Sequence, residues 1–131
     1  ERMGDHATGI AKTVIRMDGE PLLKPLLKPL VDIPRMADLA REMLKKSLDA
    51  LLARDAEAAR RVAQQDDEID HLYNQIFREL LSFMIEDPAT TARGTYLLWA
   101  AHNLERIGDR ATNIAERVIF MTTGTMKELN L

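Results

Sequence analysis

The sequence has no cysteine, which excludes disulfides and thiolate metal sites and fits a reducing compartment. Its net charge of −3 at pH 7 gives no basic face for a nucleic acid. No apolar run approaches the roughly 18 residues of a membrane-spanning helix, and no signal-peptide pattern opens the chain. Aromatic residues make up only 5% of the chain, whereas Ala, Leu, Met, Arg and Glu are common. This composition favours an all-helical protein that is neither membrane-spanning nor visibly exported.

The length of 131 residues predicts one modest domain or slightly more, and an apolar content of 46% is enough for a packed core. The first residue is Glu rather than Met and lies in the middle of a helical pattern. We therefore expect this chain to be the C-terminal portion of a longer protein.

One segment of the chain occurs twice. Residues 1–17 read ERMGDHATGIAKTVIRM, and residues 105–121 read ERIGDRATNIAERVIFM, without a gap in the match. Such self-similarity implies a duplicated structural unit. At about 100° per residue, the second copy forms a broad apolar stripe with a polar stripe along its edge. The sequence therefore predicts two copies of one amphipathic helix.

Each copy of this helix keeps two acidic residues four positions apart. Such side chains lie one above the other, with Cβ atoms roughly 5–6 Å apart, and their like charges repel, so a cation or a basic partner is expected beside them. The two pairs are Glu1 with Asp5 and Glu105 with Asp109. Asn113 and Glu116 lie on the same edge but are not repeated, which makes them weaker candidates. The ordinary alternative is a solvated helix shoulder screened by Arg106 and Arg110.

A third acidic pair interrupts an apolar stripe. The periodicity predicts a helix over 56–86, and Asp66 and Asp70 lie on its core-facing side, again four residues apart. A carboxylate in such a place is unfavourable unless it is paired, hydrogen-bonded or bound to metal. The alternatives are a pair of aspartates near a frayed end of the bundle, or aspartates bonded to arginines.

Apolar periodicity and capping residues together predict the organisation of the chain as an all-α protein. Asp32 and Pro34 suggest a helix start, Asp55 and Asp87 suggest two more, Gly124 a stop, and Trp99 is expected to anchor the packing. The predicted units are the last helix of a first, mostly missing bundle (1–17), a proline-rich junction (18–31), an antiparallel three-helix bundle (32–124) and a tail (125–131).

In such a bundle the pairs Asp66/Asp70 and Glu105/Asp109 can lie at one level. Carboxylate oxygens suit Mg²⁺, Mn²⁺, Ca²⁺, Fe or Zn²⁺, and several bridged ions would neutralise the site better than one. A di-iron oxidase would need two Glu-x-x-His motifs. The single match, Glu68 to His71, points away from the acidic stripe. All three histidines, His6, His71 and His102, are interpreted as ordinary polar-face residues, and no catalytic motif is present.

Four segments carry a resemblance to a known family: DDEID (66–70), FMIEDP (83–88), LERIGDRATNIAE (104–116) and PLVDIPRM (29–36). Together they resemble the PhoU family over nearly the whole chain. The resemblance implies two tandem three-helix bundles, each with an E/D-x-x-x-D motif on two helices that holds a multinuclear metal cluster. Carried over, Asp66, Asp70, Glu105 and Asp109 would be the complete second site, and Glu1 and Asp5 half of the first.

The resemblance also implies a function, which composition and spacing do not. It implies a cytoplasmic regulator, not an enzyme, that couples the ATPase of a phosphate ABC transporter to a sensor histidine kinase and represses the phosphate-starvation response. Two other readings stay open: a carboxylate-bridged metalloenzyme of ferritin type, and a structural helical adaptor with a basic partner. Because the helix over 1–17 would otherwise expose its apolar stripe, we expect it to bury the stripe on its own bundle or on another chain, and we predict a homodimer or higher oligomer.

Overall fold

The computed structural model describes residues 1–17 and 27–124, without the side chains of 27–30. The described residues form four helices and one 3-10 turn, and they contain no strand, which confirms the all-α prediction. The helices are α1 (Arg2–Met17), α2 (Leu27–Ala53), α3 (Ala56–Glu86) and α4 (Thr91–Thr123), with the 3-10 turn at Pro88–Thr90. The predicted tail and residues 18–26 of the predicted junction lie outside the described residues.

Helices α2, α3 and α4 pack against one another as an antiparallel bundle with short connections. Asp55 caps α3 by accepting a hydrogen bond from the Ala58 N–H at 3.1 Å. Asp87 accepts from the Ala89 N–H at the start of the 3-10 turn, and Gly124 ends α4 with a φ of 71°. The predicted boundaries at Asp55 and Gly124 are confirmed, whereas Asp87 caps only the 3-10 turn and α4 itself begins at Thr91. A side chain oxygen at a helix start and a left-handed residue after its end satisfy backbone groups that would otherwise lack partners.

The predicted start of α2 is wrong. The helix begins at Leu27, so Asp32 is not an N-cap and Pro34 lies inside the helix rather than in its first turn. Asp32 is instead buried, and one of its carboxylate oxygens accepts from the Arg35 guanidinium at 3.4 Å. Pro29 falls in the first turn of α2, where a missing N–H removes no intrahelical bond.

The core lies along the common axis of α2, α3 and α4, and all three helices pack closely at Gly108. A Cβ atom at Gly108 would meet Ile69 at 3.1 Å and the Met43 sulfur at 3.7 Å. The missing side chain therefore lets α4 come close to both neighbours. It also sets the register of the acidic residues, because Asp109 follows Gly108 and Asp70 follows Ile69 in the sequence.

Trp99 lies nearer the surface than the sequence predicted. It is 43% exposed and touches Tyr96 edge-on, with ring centroids 5.6 Å apart, so it does not anchor the core. Phe77 on α3 is 40% exposed as well. Small and aliphatic side chains fill the core instead, which is consistent with the close helix packing at Gly108.

Helix α1 packs against α4, the helix whose sequence it repeats. Met3, Ile10 and Met17 lie against the core, and Thr13 is buried. The stripe of α1 is thus partly covered by the chain's own bundle, while Val14 and Ile15 stay 62% and 73% exposed. None of the described helices is both long enough and apolar enough to cross a membrane.

Candidate metal centre

The fold places three aspartates from two helices around one point. The antiparallel packing of α3 on α4 sets Asp66 and Asp70 opposite Asp109. One carboxylate oxygen from each of the three lies within 4.8 Å of the others. An ion with ligands at about 2.0–2.6 Å on opposite sides spans a similar distance. The spacing therefore suits one or more hard cations held between the helices.

Glu105 lies beside these three aspartates and is hydrogen-bonded to two of them. Its carboxyl hydrogen-bonds with both Asp70 and Asp109, and Asp66 hydrogen-bonds with Asp109. We refer to Asp66, Asp70, Glu105 and Asp109 as the acidic cluster. In the absence of a cation, carboxyl groups this close can avoid repulsion only by remaining partly protonated.

The pKa values of three carboxyl groups in the acidic cluster are raised, so their ionised forms are unfavourable in the folded protein. Burial, followed by the charges of Asp70 and Asp109, raises the pKa of Asp66 to about 7. Burial, followed by the charge of Asp109, raises the pKa of Glu105 to about 8. The pKa of Asp70 is also raised, mainly by burial and then by Asp109. Ionisation of the cluster is thus unfavourable by itself, and a bound cation would reverse this preference.

Among the described residues, no cationic side chain pairs with the two aspartates of α3. Asp66 is only 2% exposed, yet none of the ion pairs in the described part of the chain includes it or Asp70. One oxygen of each, Oδ1, is buried without a hydrogen-bond partner. The alternative in which arginines pair with these aspartates is therefore wrong for the described residues. Orphaned oxygens on neighbouring carboxylates are the donor set that Mg²⁺, Mn²⁺ or Fe ions take.

Two further side chains contact the cluster, and sequence reasoning did not assign them to the site. The buried Thr112 hydroxyl donates to the Gly108 carbonyl at 3.2 Å and also lies within hydrogen-bonding reach of Asp66, where it partly offsets the rise in pKa. Tyr73 is close enough to Glu105 for that charge to raise its pKa after burial. In the sequence, only the spacing of Thr112 from Asp109 along the acidic edge of α4 indicated that Thr112 could reach the site.

The remaining candidates are not part of the acidic cluster, although Asn113 lines a cavity together with Glu105 and Asp109. Glu1 and Asp5 are exposed on α1, and both line a separate cavity next to Arg110 and Asn113. Asn113 is exposed as well, and Glu116 is half-buried one turn further along α4. None of these four belongs to the group of three aspartates, which is the metal-ligand group present among the described residues. Their role as ligands stays a prediction.

The histidines have different environments. His71 and Glu68 are both exposed on α3, as predicted, and His102 is exposed on α4. His6 is half-buried against Asn103, with Nε2 buried and without a hydrogen-bond partner, so it is not an ordinary polar-face residue. The close packing of α1 on α4 explains this difference, because Gly9 brings the two helices together at Asn103.

Comparison with known families and proteins shows which of them this chain resembles. The PhoU domain model matches residues 33–118, which include all four residues of the acidic cluster. A Rhizobium meliloti protein named phosphate-specific transport system accessory protein PhoU homolog is 42% identical over 128 residues, covering 98% of this chain and 53% of that protein. A protein of the same name from Zymomonas mobilis is 45% identical over 126 residues, covering 95% and 51%. The chain thus spans about half the length of these relatives.

Two solved structures have the same fold. The crystal structure of PhoU from Pseudomonas aeruginosa superimposes with a TM-score of 0.87 at 38% identity, covering 95% of this chain and 58% of that one. The phosphate transport system regulatory protein PhoU from Streptococcus pneumoniae superimposes with a TM-score of 0.84 at 32% identity, covering 96% and 57%.

Proposed function

The chain belongs to the PhoU family, and on that premise we propose that it is a metal-binding regulator of phosphate transport rather than an enzyme. Its acidic cluster would hold divalent or trivalent cations, with Fe, Zn, Mn and Mg as candidates and a multinuclear cluster as the expected form. The regulator would act in the cytoplasm as a negative regulator of the phosphate-starvation response. The names of its relatives, which describe accessory and regulatory proteins of phosphate transport, support this role.

The observation that carries the metal-binding proposal is the group of three aspartates within 4.8 Å. Two of their oxygens are buried without a partner, and no cation among the described residues lies close enough to pair with Asp66 or Asp70. Removing one partner from a buried charged group is strongly unfavourable, so such a group is normally paired or bound to metal. The ions would be held by Asp66, Asp70 and Asp109, with Glu105 adjacent, and would tie α3 to α4.

A regulatory role fits the chemistry of the cluster better than catalysis. The exposed Glu68 and His71 lie away from the cluster, so it lacks the histidines that a ferritin-type di-iron site draws from its helices. A cation held only by carboxylates between two helices fixes their relative position. Such a cation would keep the bundle surface in a form that a partner recognises.

The metal-binding proposal is tested by titrating Mn²⁺ into chelator-stripped protein in a calorimeter. We expect saturable binding, at least tenfold weaker in Asp66→Asn. The matched control is Asp67→Asn, which removes the same charge from the neighbouring exposed position on α3. Equal weakening by both variants, or no binding of Mn²⁺, Fe or Zn²⁺ by the unmodified chain, would show that the cluster is not a metal site.

The proposed partners are the ATPase of a phosphate ABC transporter and a sensor histidine kinase, and the proposed assembly is a homodimer. Co-purification of the tagged, manganese-loaded chain with each purified partner tests the first proposal, with chelator-treated chain as the control. Light scattering over a range of concentrations tests the second. Retention of neither partner, and a monomer at every concentration, would contradict the respective proposals.

A further inference from the structure

The Thr112 hydroxyl has two acceptors within reach, one on each of two helices. It is fully buried and donates to the Gly108 carbonyl, four residues earlier on α4, at 3.2 Å. It also lies within hydrogen-bonding reach of the Asp66 carboxylate on α3. A hydroxyl carries one hydrogen, so it can donate to one of these acceptors at a time. Thr112 therefore bonds either to its own helix or to the acidic cluster.

Helix α4 does not depend on the bond from Thr112 to the Gly108 carbonyl. In an α-helix that carbonyl also accepts the backbone N–H of residue 112. Thr8, the counterpart of Thr112 in the repeated segment, donates to the Gly4 carbonyl at 2.9 Å, and Thr13 makes the same kind of bond at 2.9 Å. The bond of Thr112 is longer than both. Of these three hydroxyl groups, that of Thr112 is held least tightly by its own helix.

The Asp66 carboxylate needs a hydrogen-bond donor if it is to bind a cation. Asp66 is only 2% exposed, and its Oδ1 atom is buried without a hydrogen-bond partner. A carboxylate that binds metal is normally hydrogen-bonded as well. The bond between Asp66 and Asp109 cannot serve this purpose when both are ionised, because an ionised carboxylate has no hydrogen to donate. In the described part of the chain, the neutral side chain that reaches Asp66 is Thr112.

We propose that Thr112 is a positioning residue of the metal site, whose hydroxyl turns from the Gly108 carbonyl to the Asp66 carboxylate and orients Asp66 toward a bound cation. The proposal rests on the proposed function, because it takes Asp66 as a metal ligand. A hydrogen bond to a ligating carboxylate fixes which oxygen faces the ion, and losing such a bond typically lowers metal affinity about 10–100-fold. Thr112 thus contributes to affinity through Asp66, without contact with the ion.

The experiment is a calorimetric titration of Mn²⁺ into the chelator-stripped chain and its variants. Thr112→Val removes the hydroxyl at nearly constant volume and should weaken Mn²⁺ binding about tenfold or more. Thr112→Ser keeps the hydroxyl and should bind within about threefold of the unmodified chain. The matched control is Thr13→Val, which removes a buried hydroxyl that also donates to a carbonyl four residues earlier, but on α1. It should leave the affinity unchanged.

A double variant shows whether Thr112 acts through Asp66. Once Asp66→Ala has removed the carboxylate, adding Thr112→Val should weaken Mn²⁺ binding by less than about twofold more. A merely structural role of Thr112 would instead add its full loss to that of Asp66→Ala, which would overturn the proposal. Urea unfolding of the metal-free variants checks the fold. If Thr112→Val lowers the urea midpoint, Thr112→Ala, which also lacks the hydroxyl, takes its place in every comparison.

The possible results separate this proposal from the proposed function. An unmodified chain that binds Mn²⁺ no better than Thr112→Val overturns the role of Thr112 and leaves the metal site standing. A loss in Thr112→Ser as large as that in Thr112→Val would assign the effect to packing, and an equal loss in Thr13→Val would assign it to a general weakening of the fold. Either result overturns the proposal. A chain that binds none of Mn²⁺, Fe and Zn²⁺ overturns the proposed function and the role of Thr112 together.

Discussion

Replacing Asp66 with Asn should change how the stability of the metal-free protein depends on pH. The folded protein holds a proton on Asp66 up to about pH 7, whereas the unfolded chain releases it near the ordinary pKa of 3.8. Between these values the unfolded state binds fewer protons, so the free energy of unfolding falls as the pH rises. At about 1.36 kcal/mol per pKa unit, the full difference is about 4 kcal/mol, of which about 3 kcal/mol is lost between pH 5 and pH 9.

The assay is urea unfolding of chelator-stripped protein at pH 5, 7 and 9, followed by circular dichroism. The unmodified chain should lose about 3 kcal/mol more than Asp66→Asn over this range, and Asp67→Asn should behave like the unmodified chain. Because Glu105 also has a raised pKa, a smaller fall should persist in Asp66→Asn. Identical curves for the unmodified chain and Asp66→Asn, or a stability that rises from pH 5 to 9, would show that the pKa of Asp66 is not raised in the folded protein.

Two other substitutions test how the fold positions the cluster. Gly108→Ala should lower the free energy of unfolding by about 1 kcal/mol, because a Cβ atom 3.1 Å from Ile69 overpacks the core by more than the roughly 1 kcal/mol gained in helix propensity; urea unfolding that shows a more stable variant would contradict this. Asp55→Ala should cost about 1 kcal/mol, because it removes the cap that accepts from the Ala58 N–H. Its Mn²⁺ affinity in a calorimeter should be unchanged, and a large loss of affinity would mean that the cap also supports the cluster.

Some features of this fold could be predicted from the sequence because they depend only on residues close together in the chain. Asp55, Asp87 and Gly124 act through backbone groups within a few residues, so their roles as caps and stop follow from the order of residues alone. The position of Asp66 and Asp70 on an apolar stripe could also be predicted, because it depends only on helical spacing. The four-residue spacing placed them on one face of α3 before any tertiary contact was known.

Other features depend on tertiary packing, which the sequence pattern does not contain. Trp99 was expected to anchor the packing because the chain has few other aromatic residues, whereas the core at Gly108 is filled with small and aliphatic side chains. The early start of α2 places a proline inside a helix against its intrinsic preference, which is tertiary context overriding propensity.

We propose that a cation bridges α3 and α4 through both acidic pairs, and thermal melting measures the stability that such a cation adds. Stripped protein would be melted with and without Mn²⁺, as the unmodified chain, Asp66→Ala, Glu105→Ala and the double variant. At 100 times the dissociation constant, the ion should stabilise the fold by about 2.7 kcal/mol. Each single variant should lose most of this gain, the two losses should be non-additive, and the gain should fade in acid as the ligands are protonated. A melting temperature that no ion changes, or that Mn²⁺ raises equally in the double variant, would contradict the claim.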